Sequence, residues 1–441
     1  MKKPASRSPF KLRRSGRKLR LEHPKLGTLF EARLPAGAKV SAHDNAVEVS
    51  AKGKLALSGL VTMGEEGRPC RLQSGGGRVV QTGIGDPDTG LNDSIYDPRT
   101  DLAIRFEAPQ VSISRLDARR FEVALKGKGP LRIEIHPNHL RALCPYLPPE
   151  RIAVKAPAPS GWLSYYCHFE RPTEKAILAD LDAAAKLTDH GLSFFLVEAW
   201  QRNAKALPVS NFHNEAKYDP EKFPHGMKWL ADRIREKGLR PGLWVVTLGT
   251  GNEKLYDANP EMFLRDAAGT PIKEWSGRYM FDPTHPAAKR HIRKQLRILA
   301  QDWGYEFFKL DGLSGRTDQL CEWLYSLPRV KARFHCKVLD PFREIVELIR
   351  AALGPKRYFH ACAGNYDGAT AGIADGARTG GDVFFSGEAG SWKSIRYAAE
   401  VIAQTLFTNR YVWHADPDIL SVRSPLSVEE ARAWATIFGI T

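Results

Sequence analysis

The sequence lacks the long apolar runs, the cysteine spacings and the leader pattern that mark several large classes of protein. No apolar run among its 441 residues approaches the ~18 that a membrane-spanning helix needs. Its six cysteines are scattered without a CxxC pair, so their spacing predicts free thiols and no metal site. No apolar stretch follows the basic first residues, and we therefore expect a cytoplasmic protein without a secretion signal.

Acidic residues are missing from the first twenty positions, which carry nine lysines and arginines. The whole chain has a net charge of +15, so most of the excess lies in this segment. A run of like charge with few apolar residues is typical of a disordered arm, and we expect residues 1–20 to be one. The rest of the chain shows no interleaving of basic and aromatic residues. We therefore expect neither nucleic acid nor a membrane as a partner.

Two hydrophobic patterns divide the remainder of the chain. Residues 21–150 contain short spans with alternating apolar and polar residues, such as GTLFEARL and RRFEVALKG, separated by turn residues. This pattern predicts an antiparallel β-sandwich domain that ends in a proline-rich linker. Residues 151–441 instead alternate strand-like and helix-like segments. That alternation is typical of parallel βαβ units in an α/β fold.

The strand–helix units of the second region number seven. Polar residues at the carboxyl ends of the strands favour a (β/α)8-type TIM barrel over an open doubly wound sheet. The seventh helix-like segment reaches the last residue of the sequence. We therefore expect a barrel that is truncated after its seventh unit and lacks its last strand, or one that another element closes.

Two motifs place acidic residues at the ends of predicted strands. FFKLDGL puts Lys309 and Asp311 on one side of a strand, where the cation favours an ionised, nucleophilic carboxylate. A buried ion pair explains this motif equally well. GARTGGDV sets Arg378 and Asp382 on either side of two glycines, and alone it is also typical of an ordinary turn. Together, two strand-end carboxylates match the arrangement used in glycoside hydrolysis.

Four ordered blocks after Trp162 resemble the melibiase superfamily of α-galactosidases. FFKLDGL is similar to the nucleophile strand, ARTGGDV to the acid/base segment and WHADPDILSVR to the block on the seventh strand. KFPHGMKWLADRIREKGLRPGLWV is similar to the second helix and third strand. The resemblance implies a retaining exo-glycoside hydrolase of the bacterial branch with an N-terminal β-sandwich. In it Asp311 is the catalytic nucleophile and Asp382 the general acid/base, without metal or organic cofactor.

The substrate-binding set comes from the same motifs and from strand tryptophans, since aromatic faces stack on sugars, although a strand tryptophan more often belongs to the core. It comprises Lys309, Arg378, Glu198, Trp200, Trp162, Trp244, Cys362 and Asp416.

The family's paired aspartates, which hold the galactose O4 and O6, are replaced here by Val197 and Glu198. α-Galactosidase action is the first expectation, with an oligosaccharide or glycoside as the partner. β-L-Arabinopyranosidase, α-N-acetylgalactosaminidase and transglycosylase activities stay open, as does a non-catalytic carbohydrate-binding relic. A homo-oligomer is also left open.

Overall fold

A computed structural model of the chain describes residues 10–63, 70–72, 93–97, 99–139, 158–201, 216–273, 279–313, 325, 330, 333–337, 340–362, 370–378, 382–383, 391–405 and 408–440. The chain divides into two compact units. The first unit comprises Met1–Arg151 with Ala399–Tyr411, and the second comprises Ile152–Ala398 with Val412–Thr441.

Twelve strands of the first unit are described. They are β1 (Lys11–Ser15), β2 (Lys18–His23), β3 (Gly27–Arg33), β4 (Lys39–His43), β5 (Ala46–Ser50), β6 (Lys54–Thr62), β7 (Cys70–Leu72), β8 (Ser94–Asp97), β9 (Leu102–Glu107), β10 (Gln110–Arg115), β11 (Arg120–Lys128) and β12 (Leu131–Pro137). They form two six-stranded sheets, in the orders β1-β2-β3-β6-β11-β10 and β4-β5-β12-β9-β8-β7. Every described pairing within these sheets is antiparallel, so the predicted antiparallel β region is confirmed.

The alternation in the sequence corresponds to alternating burial in these strands. In β11, Phe121, Val123 and Leu125 are buried while Glu122 between the first two is exposed. Apolar side chains of both sheets meet in one core, and the rings of Phe30 and Phe106 approach to 5.9 Å. In β11 the polar face is left to solvent, whereas every residue of β8 is buried.

The prediction of a disordered arm over residues 1–20 is wrong for its second half. Residues 11–15 form β1 and residues 18–20 begin β2, while residues 1–9 lie outside the described part of the chain. Phe10, Leu19 and Leu21 are buried in the core of the first unit. The basic side chains alternate with these apolar ones and pair with glutamates of neighbouring strands, which offsets their mutual repulsion.

The second unit contains nine strands among its described residues. They are β13 (Ser160–Leu163), β14 (Leu192–Val197), β15 (Arg240–Val245), β16 (Gly249–Thr250), β17 (Tyr279–Met280), β18 (Phe307–Leu310), β19 (Tyr358–Ala361), β20 (Gly376–Arg378) and β21 (His414–Asp416). Seven of them form a curled parallel sheet in the order β13-β14-β15-β18-β19-β20-β21, and β16 pairs with β17. The predicted parallel α/β region is confirmed at this level.

Helices connect or follow these strands. They are α1 (Tyr165–His168), α2 (Glu174–Ala184), α3 (Gly226–Glu236), α4 (Glu253–Ala258), α5 (Pro286–Arg297), α6 (Pro341–Leu353), α7 (Trp392–Thr405) and α8 (Val428–Ile440). Thr173 caps α2, since its hydroxyl accepts a hydrogen bond from the Ala176 amide. Asp340 caps α6 in the same way. None of the described helices has the length and apolarity to cross a membrane.

A row of stacked rings lines the inner face of the parallel sheet. Phe194 of β14 lies 4.0 Å from Phe307 of β18, which lies 4.8 Å from Tyr358 of β19, with nearly parallel planes. Gly161 and Gly376 make room for the row, because a Cβ at either would come within 2.4 Å of the ring of Phe194 or the hydroxyl of Tyr358. The row fills the sheet interior at the amino ends of the strands.

Candidate active site

Charged side chains follow the ring row toward the carboxyl ends of the strands. Side chains on one face of a strand recur every second residue, so Lys309 and Asp311 come after Phe307 on the same face. By the same spacing Glu198 follows Phe194, and Arg378 follows Gly376. The sheet therefore changes along its strands from an apolar interior to a cluster of acids and cations.

Asp311 is held by two hydrogen-bond donors. The indole Nε1 of Trp244 donates to its Oδ2 at 3.1 Å, and the backbone amide of Gly312 donates to its Oδ1 at 2.8 Å. Donors to both oxygens fix the orientation of the carboxylate. A carboxylate held in one orientation is what a nucleophile at this position needs.

Glu198 and Lys309 form a buried ion pair, with Lys309 Nζ 2.9 Å from Glu198 Oε1. Burial raises the pKa of Glu198 to about 7; Lys309 offsets part of this, while Asp311 and Asp382 add to it. Burial alone would lower the pKa of Lys309, but Glu198 outweighs it and the pKa lies well above its ordinary value. The cation thus stays charged beside a carboxyl that titrates near neutral pH.

Arg378 joins two carboxylates at the end of β20. It is 2% exposed, and its Nη2 lies 3.2 Å from Asp382 Oδ1 while its Nη1 lies 3.1 Å from Asp418 Oδ1. The Asp382 side chain is 44% exposed and the Asp418 side chain 3%. Asp382 can therefore exchange protons with solvent or a ligand, whereas Asp418 is enclosed.

Asp416 and Cys362 complete the cluster. His360 Nε2 lies 3.0 Å from Asp416 Oδ2. Burial alone would raise the pKa of Asp416, but the hydrogen bond from His360 outweighs it and the pKa lies below its ordinary value. Burial, with a further contribution from Asp311, raises the pKa of the Cys362 thiol well above its ordinary value, so the thiol stays protonated.

Two of the predicted sugar-stacking tryptophans lie elsewhere. Trp200 is 1% exposed, and its ring packs edge-on against Trp303 in the core. It lines a small cleft whose wall includes residues of α5, a cleft to which none of the charged residues above contributes. Trp162 is the next residue after Gly161, which faces the inner ring row, so strand alternation turns Trp162 to the opposite face. The buried Trp200 ring offers no face on which a sugar could stack, whereas substrate binding by Trp162 stays a prediction.

His360 and Asp418 also belong to the cluster, and neither was predicted from the sequence. His414, Asp416 and Asp418 stand at every second position along β21 and the residues that follow it, and this spacing could have predicted Asp418. The same spacing in β19 puts His360 two residues before Cys362.

The cluster has the groups that acid–base and nucleophilic chemistry at a sugar carbon requires. One carboxylate, Asp311, is fixed by donors, and a second, Asp382, is partly exposed beside an arginine. Among the described residues, no group of three or more histidines, cysteines and acids is arranged to hold a metal ion.

Known proteins with similar sequence are bacterial α-galactosidases. Alpha-galactosidase 2 of Pediococcus pentosaceus is 31% identical over 94 residues, which are 21% of this chain and 13% of the relative. Alpha-galactosidase 1 of the same organism is 26% identical over 161 residues, 35% of this chain and 21% of the relative. The matches thus span about a fifth or less of those relatives. No family model matches the chain.

Solved structures with a similar fold are also α-galactosidases. The Thermus thermophilus α-galactosidase in complex with p-nitrophenyl α-D-galactopyranoside is 22% identical with a TM-score of 0.53, over 95% of this chain and 88% of that one. Its complex with stachyose gives 23% identity and a TM-score of 0.52, over 96% and 93%. The Geobacillus stearothermophilus α-galactosidase AgaA gives 14% and 0.51, over 95% and 64%. The chain therefore has the fold of these α-galactosidases and resembles, in sequence and structure, enzymes of the melibiase kind.

Proposed function

We propose that the chain is a glycoside hydrolase of the α-galactosidase kind, which removes terminal α-galactosyl residues with retention of configuration. The observation that carries the proposal is the pair of carboxylates beyond the ends of β18 and β20, each with partners suited to a different role. Asp311 accepts hydrogen bonds on both oxygens, and Asp382 is partly open beside Arg378. The similarity to α-galactosidases supports the same assignment.

The reaction proceeds in two displacements. In the first, Asp382 gives its proton to the leaving oxygen while the Asp311 carboxylate bonds to the anomeric carbon, and the glycosidic bond breaks. In the second, Asp382 takes a proton from water, whose oxygen displaces Asp311 and releases the sugar. Lys309 and Arg378 orient the acids around the site, Lys309 through Glu198 and Arg378 through Asp382. We expect the two carboxyl groups to lie roughly 5–6.5 Å apart, close to the separation typical of direct attack.

The parallel sheet is proposed to be part of a TIM-type barrel. Its strands follow one another in chain order, and the charged cluster lies at their carboxyl ends, as active sites do in such barrels. In this interpretation the first unit is the β-sandwich domain and the second unit is the catalytic domain, with seven of the barrel units.

Glu198 bears on the choice of sugar. Lys309 donates a hydrogen bond to Glu198 Oε1, and we expect Oε2 of Glu198 to contact a ligand hydroxyl. Val197 on one side is buried and apolar and adds no second carboxylate. This departure from the paired aspartates favours testing sugars that lack the hydroxymethyl group, such as β-L-arabinopyranosides, beside α-galactosides.

The experiment follows hydrolysis of p-nitrophenyl α-galactoside and β-L-arabinopyranoside by ¹H NMR. Retention predicts that the anomer formed first has the configuration of the substrate, before mutarotation. An inverted first product would refute the retaining mechanism. Tight binding of both glycosides without turnover would instead identify a carbohydrate-binding protein. Dependence of the rate on an added acceptor sugar would favour transglycosylation.

A further inference from the structure

Asp418 links the two parts of the chain that flank the proposed acid/base. Its Oδ1 lies 3.1 Å from Nη1 of Arg378, and its Oδ2 accepts a hydrogen bond of 2.8 Å from the backbone amide of Val383. Val383 follows Asp382 directly, and Arg378 contacts the Asp382 carboxylate through its other terminal nitrogen. The enclosed Asp418 carboxylate thus holds both Arg378, which contacts Asp382, and Val383, which follows Asp382 in the chain.

We propose that Asp418 is a positioning residue for the general acid, fixing the place and the charge environment of Asp382. The inference rests on the proposed function, since it gives Asp382 the acid/base role. The planar guanidinium of Arg378 makes its two contacts in a fixed geometry, so the contact to Asp418 sets the direction of the contact to Asp382. The bond to Val383 fixes the backbone beside the same side chain.

The backbone at Asp418 is itself held in an unfavourable conformation. Its φ of 84° lies in the left-handed region, which is sterically unfavourable for a residue other than glycine. The Asp418 amide donates to Asp416 Oδ1 at 2.9 Å, and the other oxygen of Asp416 contacts His360. This turn is therefore over-determined by buried contacts, and those contacts aim the Asp418 carboxylate at Arg378.

The charge of Asp418 also matters to proton transfer. Burial raises the pKa of Asp418 to about 6, because Arg378 offsets only part of the effect and Asp382 adds to it. Near neutral pH the ionised Asp418 balances the charge of Arg378, which would otherwise favour loss of the Asp382 proton. The other titratable groups that face the pair are Tyr165, Tyr166, Glu198, Lys309, Cys362 and Asp416.

The test compares leaving groups in Asp418→Asn, which removes the charge and keeps a residue that tolerates left-handed backbone. Phenyl α-galactoside needs a proton on its leaving oxygen, whereas 2,4-dinitrophenyl α-galactoside does not. We expect kcat/KM to fall about 10²-fold for the first and only about threefold for the second. The basic limb of the pH profile, which reports loss of the acid's proton, should move to lower pH.

Asp375→Asn is the matched control. Asp375 Oδ2 also joins an arginine, Arg350, and a backbone amide, that of Phe359, but it does so at the amino end of β20. Its loss should lower stability without changing the ratio between the two substrates or the pH profile. Equal losses on both substrates in Asp418→Asn, or the same selective loss in Asp375→Asn, would overturn the proposal.

Two further experiments cover a variant that folds poorly and a wild type that cleaves no glycoside. If Asp418→Asn folds poorly, Asp418→Gly deletes the carboxylate while glycine relieves the left-handed backbone, and it should show the same selective loss. If the wild type cleaves no glycoside, the proposed function fails, and crystal structures of wild type and variant decide the positioning role. Arg378 and Asp382 should then be displaced in Asp418→Asn, and unchanged positions would refute the inference.

Discussion

The interiors of the two units differ in where they bury charge. The core of the first unit is mostly apolar and draws side chains from both antiparallel sheets, although Asp97, Asp101 and Glu134 are also buried in this unit. The inner face of the parallel sheet instead passes from stacked rings to buried ions, including Glu198, Lys309 and Arg378. Burial of apolar surface stabilises a fold, whereas a buried ion pair contributes little net stability after its desolvation. The difference indicates that the second interior is arranged for chemistry.

The largest expected effect is the loss of activity in Asp311→Asn. The substitution is nearly isosteric and removes the nucleophilic charge, so kcat on an aryl α-galactoside should fall by about 10³-fold or more. The melting temperature should change little. Asp302→Asn, on an exposed residue paired with Arg297, is the control and should keep full activity. Retention of more than a few per cent of the activity by Asp311→Asn would show that the nucleophile is another residue.

Shortening a core side chain of the first unit should lower stability and leave activity unchanged. Phe121 is fully buried, so Phe121→Ala should lower the free energy of unfolding by about 3–5 kcal/mol. The activity per folded molecule should stay the same, because Phe121 belongs to the apolar interior. Urea denaturation followed by assay of the folded fraction measures both. Glu122→Ala, at the exposed neighbour, should cost much less, and a selective loss of kcat in Phe121→Ala would break the comparison.

The pH dependence of stability tests the buried charges of the second unit. The pKa of Glu198 is about 7 in the folded protein against an ordinary value of 4.5, so the folded state holds this proton more tightly. The stability that it contributes is complete below about pH 4.5 and is lost as the pH rises through 7. Glu198→Gln should therefore gain on wild type by on the order of 2–3 kcal/mol between pH 4.5 and 7.5.

Urea titrations of both proteins across this pH range measure the difference. Glu347→Gln removes an exposed carboxylate of α6, and its difference in stability from wild type should not change with pH. A wild-type advantage that instead grows with pH would mean that the ion pair with Lys309 dominates the desolvation of Glu198.

The smallest expected effect concerns the basic N-terminal strands. Arg13 pairs with Glu22 on the surface, so Arg13→Ala should change the free energy of unfolding by less than about 1 kcal/mol. Leu21 of β2 is buried in the core, and Leu21→Ala should lower the free energy of unfolding by about 2–5 kcal/mol. Thermal unfolding of the two variants checks the pair. Equal small effects would restore the interpretation of this segment as a loose arm.

Periodicity in the sequence was sufficient for most elements. It predicted the alternating strands of the first unit and the order of strands and helices in the second, because each buries one regular face. It failed where a few apolar residues decide the outcome, as with Leu19 and Leu21 among the arginines of β2. Local charge suggested a solvated segment, but pairing with β3 buries these leucines.

The candidate site was only partly predictable. Strand-end motifs indicated Asp311 and Arg378, but a motif does not say which face a neighbouring tryptophan takes. Trp244 reaches Asp311, whereas Trp200 packs on Trp303 in the core. The role of Asp418 depends on a contact to Val383, 35 residues earlier in the chain, that only the fold brings about.

The row of rings from Phe194 to Tyr358 limits the route by which a ligand can reach the charged cluster. The ring centroids are stacked 4.0 and 4.8 Å apart at the amino ends of the strands, which leaves no gap for a ligand between neighbouring rings. Under the proposed function, a glycoside would therefore enter and leave at the carboxyl ends, where the charged cluster lies. Access from one end suits the removal of one terminal unit at a time. A released monosaccharide would then compete with the next substrate for the same entrance.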